Sequence, residues 1–287
     1  MSSPASADRS AALEAAYVAA CALELRALKP GNVHDFAAGH GMTVGDFTVS
    51  AEVSAPPLCR SGASVGERIL GAIRATRERV GCNTNLGIVL LAAPLIAAAE
   101  RGRPPLRQAV AAILAGLTQE DAAAAYEAIR LAAPAGLGRV EEQDVAEAPS
   151  ITLGAAMALA APRDRIARQY AEGFADVFDI GVARSERSAQ RGIAPDWNAT
   201  LVFMDFLAAF PDSHVARKYG DAIAEEVRGK ARALAPTLGD HAGAENVASL
   251  LALDQWLKER RLNPGSSADL TVASLLAHAA ASILDRV

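Results

Sequence analysis

Cysteine, aromatic side chains and net charge are all scarce in this chain of 287 residues. Three cysteines, Cys21, Cys59 and Cys82, form an odd set with no CxxC spacing, which excludes a disulfide framework and a thiolate metal site. Buried small hydrophobes are the expectation for all three. Only 7 Phe, 4 Tyr and 2 Trp stand against 66 Ala, so the core has to be packed largely from small side chains. Lys and Arg total 28 against 33 Asp and Glu, a net charge of -5, which gives no electrostatic reason to expect a nucleic acid or an anionic membrane as partner. Local basic pockets remain compatible with that balance.

Long apolar runs are missing too. The longest, Gly87 to Ala99, spans 13 residues and contains Pro94. That is short of the roughly 20 residues a membrane span needs, and it reads as a buried core helix. The amino-terminal stretch carries acidic residues where a secretory peptide has a basic start, so a cytoplasmic protein is expected. No period-2 alternation is sustained, and no GxxxxGK[ST] phosphate loop or repeat of fixed period occurs.

What the sequence does have is helical periodicity. Apolar residues recur every three or four positions from Ser10 to Leu28, Thr43 to Leu58, Gly62 to Val80, Leu86 to Ala98, Leu106 to Leu117 and Glu120 to Leu131. Further helices are expected at Thr152 to Leu159, Arg163 to Phe178, Asn198 to Phe210, Asp212 to Leu234, Glu245 to Glu259 and Ser267 to Leu284. The pattern implies an all-α fold, a single compact domain over residues 1–287 of roughly ten to twelve helices, with 134–149 as a long Gly/Pro-rich connecting loop.

The informative polar residues gather at Gly/Pro-marked helix ends. Lys29-Pro-Gly31-Asn-Val-His-Asp35, followed by Gly39-His40-Gly41, offers a cation for phosphate, close backbone approach at Gly31 and proton carriers among which His40 is one candidate. Arg60-Ser-Gly-Ala-Ser64-Val-Gly-Glu67 enters a helix, where Glu67 suits either a divalent ion or a capping box with Ser64. Asn83-Thr84-Asn85 precedes the most apolar helix and supplies three small hydrogen-bonding groups. On Asp212-Ser-His214-Val-Ala-Arg217-Lys218, the basic residues share a helical face fit to clamp a polyphosphate. Asn263-Pro-Gly265-Ser266-Ser267-Ala-Asp269 exposes amide and hydroxyl donors, with Asp269 placed to cap or to bind an ion. Together these loops point to an all-helical enzyme that handles phosphate.

These segments resemble the triphosphoribosyl-dephospho-CoA synthase family over most of the chain, most distinctively in Asn263-Pro-Gly-Ser-Ser-Ala-Asp269. The resemblance implies a transferase in which a ribose hydroxyl of dephospho-CoA attacks the anomeric carbon of ATP, adenine leaves and the triphosphate stays on the transferred ribose. It implies ATP as substrate, Mg²⁺ as cofactor and small-molecule nucleotides as partners. Glu67 and Asp269 become the expected catalytic and metal-binding carboxylates, with His40 as a further catalytic candidate. Lys29, Arg60, Arg217 and Lys218 are expected around phosphate; Gly31, Asn83, Asn85, Asn263, Gly265 and Ser266 complete the nucleotide contacts. The chain departs from the family pattern at Asn83-Thr84-Asn85-Leu86-Gly87, where typical members resemble Asn-Thr-His-Lys-Gly. A relative acting on an acceptor of methanopterin-like C1-carrier biosynthesis, and a noncatalytic nucleotide-binding helical protein, are the alternatives. A homodimer is compatible with the sequence, although no segment marks an interface.

Overall fold

The computed structural model describes residues 4–33, 43–102, 105–134 and 142–284. Among them are fourteen α-helices and no strand. The first half runs α1 (Pro4–Arg26), α2 (Val44–Leu58), α3 (Val65–Val80), α4 (Leu86–Glu100), α5 (Leu106–Ala115) and α6 (Gln119–Ala132). The second comprises α7 (Leu153–Ala160), α8 (Arg165–Ala171), a π-helical turn (Val177–Val182), α9 (Ala183–Gln190), α10 (Pro195–Ala209), α11 (Ser213–Tyr219), α12 (Asp221–Leu234), α13 (Ala244–Glu259) and α14 (Gly265–Leu284), with a 3₁₀ turn at Ala235–Thr237.

Local chemistry sets several boundaries. Thr43, Ser64 and Thr118 each accept from the amide three residues on, while Asp46, Glu67 and Asp121 accept in return from the capping residue's own amide. These reciprocal boxes satisfy amides that a helix start would otherwise leave bare. Two expected helices are broken instead of continuous. Gly220, at φ +87°, splits Asp212–Leu234 into α11 and α12. Gly173 and Phe174, at φ +64° and +60°, interrupt the stretch expected from Arg163 to Phe178, and α9 follows where no helix is expected. The extra helices take the count above ten to twelve.

Helix α4 is buried on nearly every face, with Leu91 and Leu95 fully enclosed and Ile96 almost so. Its apolar sequence thus serves a core, where each such side chain contributes about 1.5–3 kcal/mol. Helix α14 is long and apolar enough to cross a membrane, but 67% of that window is buried here against α1, α4, α10 and the π turn. The π turn lies directly on α14 because Gly181 has no side chain; a Cβ there would overlap Ser274. A second apolar cluster joins Phe203 and Met204 of α10 to Val227 of α12 and Leu250 and Leu257 of α13. Helices α10 and α14 contribute to both clusters and so tie them together.

Arg68 of α3 is buried; it donates to the Leu58 and Ala63 carbonyls and pairs with Glu100 of α4. Cys82 is only half-buried, whereas Cys21 and Cys59 are buried as expected. Burial pushes the Cys59 thiol up to about 12, so it stays protonated and inert.

Candidate active site

A cavity of about 810 Å³ opens where the start of α4, the α7–α8 junction, α11 and the start of α14 converge, with Glu24 of α1 also in its wall. Its volume suits nucleotide-sized ligands. Polar segments distant in sequence meet there because the helices carrying them pack around α4 and α14.

Asp269 is the central feature. Its carboxylate is recessed among protein atoms while part of its surface faces the cavity. Burial foremost, then the negative charges of Glu24, Asp212 and Asp164, holds its carboxyl well above the usual carboxylate range, and Arg217 offsets this only in part. Gly87 makes the position possible: at the start of α4, a Cβ on this residue would overlap the Asp269 carboxylate.

Glu24, not anticipated from the sequence, is a second carboxylate of the site. It lines the cavity and pairs at 2.5 Å with Lys29 Nζ, which is fully buried behind the wall. Lys29 also donates to Asn32 Oδ1 at 3.1 Å and to the Val33 carbonyl at 2.6 Å. Asn32 Nδ2 in turn donates to Asn263 Oδ1 at 2.8 Å, joining the end of α1 to the segment before α14. Gly31 completes this junction from behind. Its amide donates to Asp254 at 2.9 Å, and its φ of +80° together with contacts to Leu262, Leu257 and Pro264 leaves no room for a side chain.

Asp212 is fully buried and caps two helices at once. Oδ1 accepts from the His214 and Val215 amides of α11, and Oδ2 accepts from the Ser267 amide and hydroxyl of α14. This carboxylate fixes α11 against α14, so that Arg217, His214, Ser266 and Asp269 face one space. The Ser213 and Ser266 hydroxyls bond each other at 2.8 Å across the same junction.

The cationic border comes from α8 and α11. Arg165 makes two 2.7 Å bonds to Asp176 and lies 3.8 Å over the Phe210 ring, so its guanidinium is locked in place. Arg217 reaches Asp164 at 3.3 Å. Arg163 and Arg168 line the cavity as well.

The structure thus brings Asp269, Asn83, Asn85, Arg217, Asn263, Gly265 and Ser266 together on one cavity. Asn83 Oδ1 also accepts from the Leu86 amide, and the buried Asn85 side chain donates to Thr76 and Ser54. Glu67, Arg60 and Lys218 are not part of the lining. Glu67 is engaged in its capping box and pairs with Arg60 at 3.2 Å on the exposed surface, so Glu67 and Asp269 do not converge. Lys29 and Gly31 stand behind the wall and not on it. His40 lies outside the described residues. Among the described residues, no group of three or more His, Cys, Asp or Glu side chains is placed to hold a metal ion.

The candidate site is thus a cavity within an all-helical fold that holds a recessed carboxylate and is bordered by arginines. The sequence profile described as CitG: ATP:dephospho-CoA triphosphoribosyl transferase matches residues 10–285. The chain belongs to this transferase family. Among solved structures, it is similar to one from Archaeoglobus fulgidus, provisionally described as a triphosphoribosyl-dephospho-CoA synthase. The TM-score is 0.63 at 25% identity, with 82% of this chain and 97% of that chain covered. No curated protein matches.

Proposed function

We propose that this protein transfers the triphosphoribosyl group of ATP to a ribose hydroxyl of dephospho-CoA and releases adenine. The observation that carries the reading is the Asp269 carboxylate. It faces the cavity at the meeting point of the Asn83–Gly87, Asp212–Arg217 and Asn263–Asp269 segments, and among the described residues no donor hydrogen-bonds it.

In this reaction the acceptor oxygen bonds to the anomeric carbon of ATP, and the carbon–N9 bond to adenine breaks. The hydroxyl proton goes to Asp269, while adenine leaves with the bonding electron pair and takes up a proton. Positive charge grows on the ribose ring as adenine departs, and two carboxylates fixed in a water-poor wall stabilise it without reorganising. Glu24 is the second of these, held by Lys29. A carboxyl raised above its ordinary range also suits proton transfer near neutral pH.

Arg163, Arg165, Arg168 and Arg217 supply the positive border for the triphosphate. Asn83 and Asn263 orient the sugars, and Gly265 and Ser266 at the start of α14 let a phosphate or hydroxyl approach the backbone. The described residues offer no protein-built metal centre, so Mg²⁺ belongs to this reading as the counter-ion of ATP and no step is assigned to it.

Incubation of the purified chain with Mg-ATP and a panel of acceptors, followed by chromatography for free adenine, tests the proposal. Adenine appearing with dephospho-CoA supports it. Adenine appearing only with a different hydroxyl acceptor moves the acceptor assignment, and nucleotide binding without adenine release from any acceptor defeats the catalytic reading.

A further inference from the structure

Under the reaction proposed above, on which this inference rests, two adenine nucleotides share one cavity. Both carry adenine, ribose and 5′ phosphates, so these groups do not tell donor from acceptor. The two differ in the 5′ extension: ATP ends in a triphosphate, whereas dephospho-CoA continues into pantetheine, a long, flexible and uncharged chain.

The cavity wall divides along the same chemical line. Four arginines, interspersed with Asp164 and Asp221, border it at the α7–α8 junction, α8 and α11. On the α6–α7 side it is lined by Tyr126, Ile129, Leu153, Ala156 and Met157. Helix α7 turns Leu153, Ala156, Met157 and Ala160 towards the cavity, a spacing of i, i+3, i+4, i+7. Leu153 and Met157 also pack in the main apolar core, so with Ala156 and Ala160 they form a firmly packed apolar edge of the cavity. Among the described residues, the carboxylates Glu142 and Asp144 also line this side. The Tyr126 hydroxyl donates to the Gln143 carbonyl at 2.8 Å, which fastens the acidic segment to α6. Asp144 lies near enough for its charge, after burial, to push the Tyr126 phenol up. A triphosphate laid along this wall would lose hydration against apolar side chains, an arrangement that disfavours the wrong nucleotide.

The geometry points to the α6–α7 wall as the subsite for the neutral pantetheine chain of the acceptor, with the arginine border taking phosphates. The cavity thereby sorts donor from acceptor by the charge of the 5′ extension.

Dephospho-CoA is ADP extended by pantetheine, so calorimetric titration of the full chain with both ligands isolates the contribution of the chain. Dephospho-CoA is expected to bind at least about tenfold more tightly than ADP. Pantetheine alone is expected to compete with dephospho-CoA and not with ATP. Met157→Asp removes both effects while ATP affinity stays within about twofold. Ala156→Leu, a smaller change that preserves wall polarity, narrows the subsite and weakens pantetheine binding; melting curves confirm that each variant is folded. Equal affinities for ADP and dephospho-CoA, or displacement of pantetheine by ATP, overturn the subsite. Adenine release with dephospho-CoA but without the tenfold preference defeats the subsite alone, whereas intact pantetheine binding without adenine release defeats the reaction alone.

Discussion

Replacing Lys29 by Met separates the phosphate contact expected from the sequence from the buried ion pair seen in the structure. In the structure its ammonium is fully buried, 2.5 Å from Glu24, and donates to Asn32 and the Val33 carbonyl. Met preserves much of the stem volume but removes the cationic partner of buried Glu24, and breaking a buried pair costs about 3–5 kcal/mol. For a chain of this size each kcal/mol moves the melting midpoint by about 2–4 °C, so K29M should melt about 6–20 °C below the wild type. The double variant E24Q/K29M removes both members of the pair and should recover more than half of that loss, a coupling that a double-mutant cycle reads directly. Differential scanning calorimetry of the four proteins at one pH is the assay. The reasoning is refuted if K29M melts with the wild type and only its affinity for ATP falls, because Lys29 would then be contacting phosphate.

Other consequences follow from the same geometry. Gly87→Ala should abolish turnover by driving the Asp269 carboxylate aside, while the melting midpoint changes little because Ala is the better helix former; retained adenine release would show that Asp269 is not placed as described. Ionised Asp269 is penalised by burial, so its cost is absent below about pH 4 and grows as pH rises through its raised value. Asp269→Asn should therefore melt above the wild type at pH 8, with the gap closing as pH falls towards 4; a gap that is constant with pH contradicts this. Glu67→Gln should keep adenine release near the wild-type rate and lower stability by no more than about 1 kcal/mol, since its carboxylate serves a cap. Asp212→Ala removes two caps together and should cost about 1–4 kcal/mol by denaturant titration; a loss of turnover with unchanged stability would make Asp212 chemical and not structural.

Much of the fold was legible because helices built from Ala, Leu, Glu and Arg advertise their period, and because Thr43, Ser64 and Thr118 are paired with an acid three residues on. The breaks were less visible. A glycine within an apolar period is tolerated in a helix as often as it ends one, and only the backbone shows that Gly220 takes φ +87°. Cavity-lining residues were legible where a polar segment stands beside a deeply buried helix, as at Asn83–Asn85 and Asn263–Asp269. Glu67 had the same local signature, Gly-rich and leading into a helix, but its capping box satisfies that signature completely. Glu24 was invisible for the opposite reason. It sits inside the regular period of α1, and only tertiary packing sets it among the charges around Asp269.

The most direct test is the product balance of a single incubation with Mg-ATP and dephospho-CoA, read by mass spectrometry and adenine chromatography together. The account predicts one free adenine for each acceptor consumed and a product that retains all three phosphates of ATP on the transferred ribose. Consumption of ATP to ADP or AMP with the adenine still attached to its sugar would contradict it.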